Sequence, residues 1–483
     1  MSFLDELAKN TNTARTENGA VTNASSLDAC LDFFALAGAM RDRPQEAARL
    51  FERAYHTNKL TAIRTMFYLR DVRGGQGEKD IFYACLDKLS ELDHATLLKV
   101  ERFIPEYGSW KDYIVRPAKL ELANLEFIAE QFKSDLNALD QGAAVSLLAK
   151  WLPSENASSK ETRAKAHIIA KHLGMKPRVY RQALSKLRAQ IKLLEHDMSA
   201  RRWSSIEYSK LPSQAFKKHM KAFRRNDEER FSKFLEAAAK PKEMILSNAS
   251  INTATLYTYE IYDLVNQGKV QEANALWNNL PDYTNGEDAL VVADVSGSMY
   301  GRPMSVSVSL ALYFAERNKG IMQNKFMTFS ESPRLVDVIG DTLSAKMSMI
   351  ERSEWAMNTD LMQVYRVIAQ AAQRSNGEGV PKVVYIISDM EFDQPHGYGV
   401  RHDQSVFDNA KALFASLGAQ MPHIVYWNVN ARNTQVPVTK YDGNVTLISG
   451  LSPSTFSFAV GGKSPTDLMN QVVHSDRYQA IEI

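Results

Sequence analysis

The chain has 483 residues, of which 45% are hydrophobic and 24% are charged. This composition excludes an intrinsically disordered chain, and the length exceeds what one hydrophobic core supports, so we expect two or more domains. The sequence contains neither a run of eighteen apolar residues nor a leader-like start, so we expect no membrane span and no secretory signal. Its two cysteines, Cys30 and Cys85, favour buried thiols in a reducing compartment, and we expect a cytoplasmic protein.

The basic residues are concentrated in one stretch. The net charge of the whole chain is only +2, yet residues 150–240 contain 22 Lys and Arg against 9 Asp and Glu. A segregated basic block of this kind is typical of a surface that binds a polyanion. The alternative is a solvated helical surface that happens to be rich in lysine.

The sequence up to residue 285 has helical periodicity. Leu27, Cys30, Leu31, Phe34 and Ala35 follow the i, i+3, i+4 spacing of one helix face. Further helices are predicted over residues 44–56, 59–69, 81–92, 95–103, 124–140, 143–151, 159–173, 176–194, 213–224 and 227–238. Because short breaks separate many medium-length helices, we predict HEAT-like helical hairpins stacked into a solenoid or a ring.

After residue 285 the pattern alternates between strands and helices. Strands are predicted over residues 289–295, 325–329, 334–339, 382–387, 423–429 and 445–448, and helices over 304–317, 342–352, 361–372, 404–417 and 465–473. This alternation indicates a doubly wound, Rossmann-like parallel sheet. The predicted fold is therefore multidomain α plus α/β, with a helical domain over residues 1–285 and an α/β domain over residues 286–483.

Five oxygen-bearing residues of the second domain form a candidate metal site. Asp294 follows the first buried strand, and Ser296 and Ser298 lie two and four residues later on the same loop. Asp389 follows the other buried strand, and Thr359 lies in a polar loop before a helix. In a doubly wound sheet these loops meet at one edge, and an oxygen-only ligand set suits Mg²⁺ or another hard ion such as Mn²⁺ or Ca²⁺.

This joint pattern resembles the metal-ion-dependent adhesion site of von Willebrand factor A-type (vWA) domains, and the resemblance covers residues 286–483. It implies direct ligation by Ser296, Ser298 and Thr359, and ligation through water by Asp294 and Asp389. Direct ligation by hydroxyls would keep the ion electrophilic, so it could accept a carboxylate or phosphate oxygen from a partner, such as a protein with an acidic residue. The structural alternative is that all five are capping and turn residues.

Enzyme motifs fit the sequence poorly, and we expect a non-catalytic protein. Ser296 stands where a phosphatase of the haloacid dehalogenase type would need a second aspartate, and we find no P-loop and no serine-hydrolase elbow. A nuclease or phosphotransferase would depend on Glu391, Asp393 and His396, which closely follow Asp389.

Four strings in the first half carry a second resemblance. FYLRDVRGGQGE (residues 67–78), IPEYGSWKD (104–112), WLPS (151–154) and KLPS (210–213) resemble strings of TROVE-module proteins. With a vWA-like region following, the whole chain resembles the Ro autoantigen family and its viral and plant relatives. Gln76 departs from the pattern, since Lys or Arg is more usual there. The resemblance implies a monomeric ring of helical repeats that binds structured small RNA on its outer face and single-stranded 3′ ends of misfolded RNA in its hole.

The basic block supplies the candidate RNA contacts, because cations at helical spacing can share one face and neutralise phosphates. These are Lys160, Arg163, Lys165, His167, Lys171, His172, Lys176, Arg178, Arg181, Lys186, Arg188, Arg201, Arg202, Lys217, Lys218 and Lys221. Trp203 follows two of them and is either a stacking ring for an unpaired base or a core aromatic. Arg70, Asp71 and Arg73 either hold the glycine-rich turn as an ion network or contact RNA.

We therefore expect a non-catalytic RNA-binding protein whose vWA-like domain binds Mg²⁺ and contacts a partner. The alternative is a metal-dependent protein-binding module that has no RNA ligand.

Overall fold

The computed structural model describes residues 11–117, 120–241, 244, 246, 248–284, 286, 288–329, 333–351, 360–397, 399–459 and 462–483. The strands are β1 (Thr13–Arg15), β2 (Val21–Asn23), β3 (Ala289–Ala293), β4 (Lys325–Thr328), β5 (Leu335–Asp337), β6 (Val383–Ser388), β7 (His423–Asn428) and β8 (Val445–Ser449).

The helices of the first 240 residues are α1 (Ala29–Leu36), α2 (Pro44–Thr57), α3 (Lys59–Arg70), α4 (Lys79–Leu92), α5 (His94–Val100), α6 (Ile104–Tyr107), α7 (Trp110–Ile114), α8 (Leu122–Asp140), α9 (Leu148–Trp151), α10 (Lys160–His172), α11 (Pro177–Ile191), α12 (Leu194–Ser199), α13 (Ser213–Asn226) and α14 (Glu228–Ala238). Those that follow are α15 (Thr258–Asn266), α16 (Val270–Asn278), α17 (Arg302–Arg317), α18 (Leu343–Glu351), α19 (Leu361–Arg374), α20 (Val406–Ser416), α21 (Pro465–Val473) and α22 (Asp476–Gln479). Within the described residues, no helix combines the length and the apolar character needed to span a membrane.

The chain forms two compact units. The α/β unit comprises residues 1–88, 212–214 and 233–480, and the helical unit comprises residues 89–211, 215–232 and 481–483. These units divide the chain differently from the predicted boundary at residue 285, because the first 88 residues pack with the sheet. The change from helices to strands does fall near that boundary, between α16 and β3.

The α/β unit is built on a six-stranded sheet in the order β5-β4-β3-β6-β7-β8. The pairs β3–β4, β3–β6, β6–β7 and β7–β8 are parallel, whereas β5 pairs antiparallel to β4 at the edge. Every residue of β3, β6, β7 and β8 is buried, which explains why these strands are continuous apolar runs in the sequence. All six predicted strands are present, and only the antiparallel direction of β5 departs from the predicted parallel sheet.

The strand order reverses next to β3. The connection through α17 leads from β3 to β4 on one side, whereas β6 lies on the other side of β3 and the connection through α20 continues outward to β7. Right-handed crossovers in opposite directions place their helices on opposite faces of the sheet. The carboxyl ends of β3 and β6 therefore flank the crevice where doubly wound sheets bind ligands.

The N-terminal segment is part of the α/β unit. The short β1–β2 hairpin, which the periodicity did not predict, is fixed by reciprocal backbone hydrogen bonds of 3.1 and 3.0 Å between Asn23 and Val436. The following α1 packs on β8, where the Ser449 hydroxyl donates to the Phe34 carbonyl at 3.3 Å. These contacts cover the edge strand β8.

The glycine-rich turn between α3 and α4 is a packing element of the same unit. Asp71 is fully buried and accepts hydrogen bonds from Arg477 at 2.8 and 3.0 Å and from the Tyr478 hydroxyl at 3.1 Å. A Cβ on Gly75 would lie 2.0 Å from the Tyr68 carbonyl oxygen, so only glycine fits there. Asp71 therefore acts as a structural ion-pair residue of this turn.

Gln76, the residue that departs from the TROVE-like string, is buried in the same region. Its amide donates to the Tyr68 hydroxyl at 2.5 Å and to the Thr455 hydroxyl at 3.3 Å. A neutral side chain avoids the cost of burying a charge at this position, although its Oε1 is buried without a hydrogen-bond partner among the described residues.

The helical unit has an aromatic core. The rings of Tyr208, Phe223 and Phe231 lie 5.1–5.5 Å apart around α13 and α14. The predicted helix over 143–151 is present only from Leu148, because Asp135 accepts hydrogen bonds from the backbone and hydroxyl of Ser146 and holds the preceding residues as a loop. The helices α6, α7 and α12 of this unit, and α15, α16 and α22 of the α/β unit, were not predicted. The closure of the helices into a ring stays a prediction.

Candidate functional site

The candidate metal residues Asp294 and Asp389 lie at the carboxyl ends of the adjacent strands β3 and β6. The two strands pair in register, with Ala293 opposite Ile387, and the Asp294 N–H donates to the Ile387 carbonyl at 2.9 Å. The second oxygen of Asp294 accepts a hydrogen bond of 2.6 Å from the Ser388 hydroxyl. Both carboxylates are at most 2% exposed, so the sheet holds two acidic groups in one buried place.

The two predicted serines lie on the loop that leaves β3. The Ser296 N–H donates to the first oxygen of Asp294 at 2.9 Å, and the hydroxyls of Ser296 and Ser298 lie 3.1 Å apart. Ser296 is buried and Ser298 is partly exposed, so the loop reaches from the buried carboxylates to the surface. The structure thus brings four predicted ligands to one edge, and Thr359 lies outside the described residues.

The two buried carboxylates of Asp294 and Asp389 create a negative potential that favours a cation at this site. Burial and, as the second cause, the negative charge of Asp389 raise the pKa of Asp294 to about 6. Burial also raises the pKa of Asp389. This increase is only partly offset by the Glu391 N–H, the nearby Ser298 hydroxyl and the positive charge of Arg432. One oxygen of Asp389 is buried without a hydrogen-bond partner among the described residues. The donor set of carboxylate and hydroxyl oxygens fits a hard divalent ion.

Arg432 and Glu17 are neighbours of this site that sequence reasoning missed. The Arg432 guanidinium forms an ion pair of 3.8 Å with this same oxygen of Asp389 and lies 2.7 Å from the Glu17 carboxylate. A basic residue in the loop after the neighbouring strand β7 was the only available signal, and nothing in the sequence indicates the hairpin that brings Glu17 here. Tyr300, on the loop that follows Ser298, is 90% exposed.

The residues that a nuclease would require have other contacts. The Glu391 carboxylate accepts hydrogen bonds of 2.6 Å from the Glu17 N–H and from the Asn433 amide, which fixes the hairpin to the loop after β6. The ring of His396 lies 6.1 Å from that of His402. The non-catalytic character of the chain stays a prediction.

All of the predicted RNA contacts lie in the helical unit. Between residues 156 and 194 the sequence has ten Lys and Arg against a single acidic residue, Glu161. At the turn between α10 and α11, the side chains of Lys171, His172, Lys176, Arg178 and Arg181 are all exposed. This group, which we call the turn cluster, spans eleven consecutive positions, so its charges are close in space and uncompensated within the segment. Lys160, Lys186, Arg201, Lys218 and Lys221 are also exposed, whereas Lys217 is partly buried.

Three of the predicted contacts serve the protein's own structure. The Arg188 guanidinium donates to the Ala149 and Leu152 carbonyls at 2.9 and 2.8 Å and to the Ser154 hydroxyl at 2.9 Å. The other two, Lys165 and Arg163, donate to backbone carbonyls of residues 115, 117, 157 and 158. These three side chains therefore have partners within the protein, and phosphate binding by them stays a prediction.

Two further predicted contacts have acidic neighbours. Arg202 pairs with Asp197 at 2.7 Å, and the His167 ring lies 3.4 Å from the buried carboxylate of Glu155. Trp203 is partly buried, and its carbonyl accepts a hydrogen bond of 2.5 Å from Arg230.

Comparison with known families identifies the chain in part. The model of the family described as "Domain of unknown function (DUF2828)" matches residues 16–114 and 120–280, which is more than half of the chain. The chain belongs to the DUF2828 family. A second model, "Domain of unknown function (DUF7788)", matches residues 288–477 of this DUF2828 protein.

Two individual proteins are similar to this DUF2828 member. The "Uncharacterized protein L728" of Acanthamoeba polyphaga mimivirus is 27% identical, over 91% of this chain and 83% of the viral one. The crystal structure of the Deinococcus radiodurans RO (RSR) protein is similar with 13% identity and a TM-score of 0.42, over 94% of this chain and 100% of that one.

Proposed function

We propose that this chain is a non-catalytic RNA-binding protein of the Ro type, in which the helical unit binds structured small RNA and single-stranded 3′ ends. The observation that carries the proposal is the turn cluster, together with the ratio of ten basic residues to one acidic residue around it. Exposed cations this dense release condensed counterions when they meet a phosphate backbone, which is the main source of affinity for RNA.

The α/β unit adds a vWA-like Mg²⁺ site for contact with a protein partner. Asp294, Ser296, Ser298 and Asp389 would hold the ion, with Thr359 as the fifth ligand implied by the family resemblance. The bound ion would accept an acidic oxygen from the partner. Arg432 is positioned to steer the same acidic group, since it already pairs with the carboxylate of Glu17.

The salt dependence of RNA affinity tests the proposal. If the helical unit neutralises about six phosphates, log K falls with log[salt] with a slope of roughly −4 to −5. The measurement is fluorescence anisotropy of a small hairpin RNA with a single-stranded 3′ tail, titrated with the full chain between 50 and 200 mM salt.

The variant Asp294→Ala tests whether the two units have separate functions. Asp294→Ala removes a buried metal ligand and should leave the RNA affinity and its salt slope unchanged. A flat salt dependence of the unsubstituted chain contradicts RNA binding. If the chain then captures a protein partner that EDTA and Asp294→Ala both release, the metal-dependent protein module is the function.

A further inference from the structure

Trp151 lies on the surface of the helical unit between two lysines. The Lys111 ammonium nitrogen is 5.3 Å from the centroid of the Trp151 ring, and the Lys150 ammonium nitrogen is 5.7 Å from it. Trp151 and Lys150 are partly exposed, and Lys111 is exposed. We call these three residues the Trp151 platform.

Contact between two short helices places the three platform residues next to one another. Lys111 belongs to α7 and Trp151 to α9, and the two helices are in contact. In α7 the preceding Trp110 is buried and stacks on Phe127 with ring centroids 5.4 Å apart, which leaves Lys111 to point outward. In α9 the buried Leu148 anchors the helix. The platform thus combines residues of the IPEYGSWKD and WLPS strings, which are about forty positions apart in the sequence.

Backbone contacts hold both helices in place. Arg188 of α11 donates to carbonyls on either side of Trp151, at residues 149 and 152. Lys165 of α10 donates to the Val115 and Pro117 carbonyls at the end of α7, at 3.4 and 2.5 Å. The two basic residues therefore preorganise the platform, and a preorganised site loses less conformational entropy on binding.

The charge around the ring is only partly compensated. Glu195 lies 3.7 Å from the Lys150 ammonium group and is half-exposed, and it also interacts electrostatically with Lys218 and His219. Burial lowers the pKa of His219, and Lys218 lowers it further. Glu195 thus shares its single negative charge between Lys150 and Lys218, so the two lysines at the ring keep a net positive charge that favours an anion.

From this geometry we infer that the Trp151 platform binds an unpaired nucleotide of single-stranded RNA, whose base stacks on Trp151 while its phosphates pair with Lys111 and Lys150. An aromatic ring beside cations is the combination that single-strand binders use. The inference rests on the proposed RNA-binding function and names a contact of that function.

An RNA base that replaces a lysine on the face of the Trp151 ring binds there more strongly than the lysine does. A cation–π contact at an exposed site contributes about 2- to 5-fold in an equilibrium constant, whereas stacking of a base on an aromatic side chain contributes about 5- to 150-fold. A displaced ammonium group then gains a phosphate partner. Duplex RNA has no free base face and gains nothing from Trp151.

The test compares variants of the full chain by fluorescence anisotropy with a ten-nucleotide single-stranded RNA and with a hairpin that has no tail. Trp151→Leu should weaken binding of the single strand by about 5-fold or more and leave hairpin binding within about 2-fold. Trp151→Phe should keep most of the affinity. Lys111→Ala and Lys150→Ala should each reduce the slope of log K against log[salt] by about 0.7.

Matched controls come from the α/β unit. Tyr300→Leu removes an exposed aromatic ring, Lys382→Ala removes an exposed cation, and neither should change single-strand affinity. If Trp151→Leu does not fold, photocrosslinking of a 4-thiouridine oligonucleotide to the unsubstituted chain replaces it, and the crosslink should map to residues 148–154.

The outcomes separate this inference from the function on which it rests. Suppose that the unsubstituted chain binds RNA with a steep salt slope. If Trp151→Leu then binds the single strand with unchanged affinity, or the crosslink maps outside α9, the platform is refuted and the proposed function stands. If the unsubstituted chain binds neither RNA, the proposed function itself fails.

Discussion

At the scale of single residues, the paired aspartates show how burial prepares a cation site. Asp294 and Asp389 are buried side by side, and their raised pKa values report the cost of holding two negative charges away from water. A divalent cation removes that cost, because it compensates both charges at once. If the proposed site binds a divalent cation, we therefore expect the metal-free chain to be less stable than the chain with the ion.

This argument predicts a cation-dependent stability. Addition of Mg²⁺ to the EDTA-dialysed chain should raise Tm by about 2 °C at about ten times the dissociation constant. Ser296→Ala should abolish most of the shift, because it removes a buried hydroxyl that the proposed site uses as a ligand. Ser416→Ala, at an exposed position on α20, is the control and should keep the full shift. A shift that survives Ser296→Ala would place the cation elsewhere.

At the scale of elements, the glycine-rich turn between α3 and α4 acts through packing. The turn brings Asp71 against Arg477 and Tyr478 and places Gln76 against Thr455, so it joins α3 to the C-terminal segment of the α/β unit. The sequence was compatible with two roles for Asp71, an RNA contact or a member of an ion network. Its burial and its ion pair with Arg477 favour the ion network.

A substitution in this turn tests its role. Gly75→Ala should lower the free energy of unfolding by about 3 kcal/mol, because the new Cβ would overlap the Tyr68 carbonyl and force the backbone to move. Gly443→Ala is the control, since its Cβ meets no atom within 4 Å. Urea unfolding followed by circular dichroism measures both, and equal stabilities would contradict the packing role.

At the scale of the whole molecule, residues 11–88 pack with the sheet of the α/β unit. The hairpin pairs with Val436, α1 covers β8, and the ring of Tyr68 lies 6.0 Å from that of Phe458. Residues that are distant in the sequence therefore share one hydrophobic core.

It follows that residues 286–483 should not fold by themselves. The isolated segment would expose the apolar surface of β8 that α1 buries, so we expect no cooperative thermal transition and strong binding of a hydrophobic dye. The full chain, measured in parallel, should unfold cooperatively. A cooperative transition of the isolated segment at a similar Tm would show that the N-terminal segment is dispensable.

The sequence by itself determined the positions of the six strands of the large sheet, most of the helices and the loop that carries Asp294, Ser296 and Ser298, because periodicity and strand ends are local signals. It also located the basic block, since charge is a property of composition. Only the tertiary structure decided that Arg188 and Lys165 hold backbone carbonyls, that Glu17 and Arg432 neighbour Asp389, and that Lys111 reaches Trp151. Each of these depends on contacts between residues far apart in the chain, and one sequence carries no local signal of such contacts.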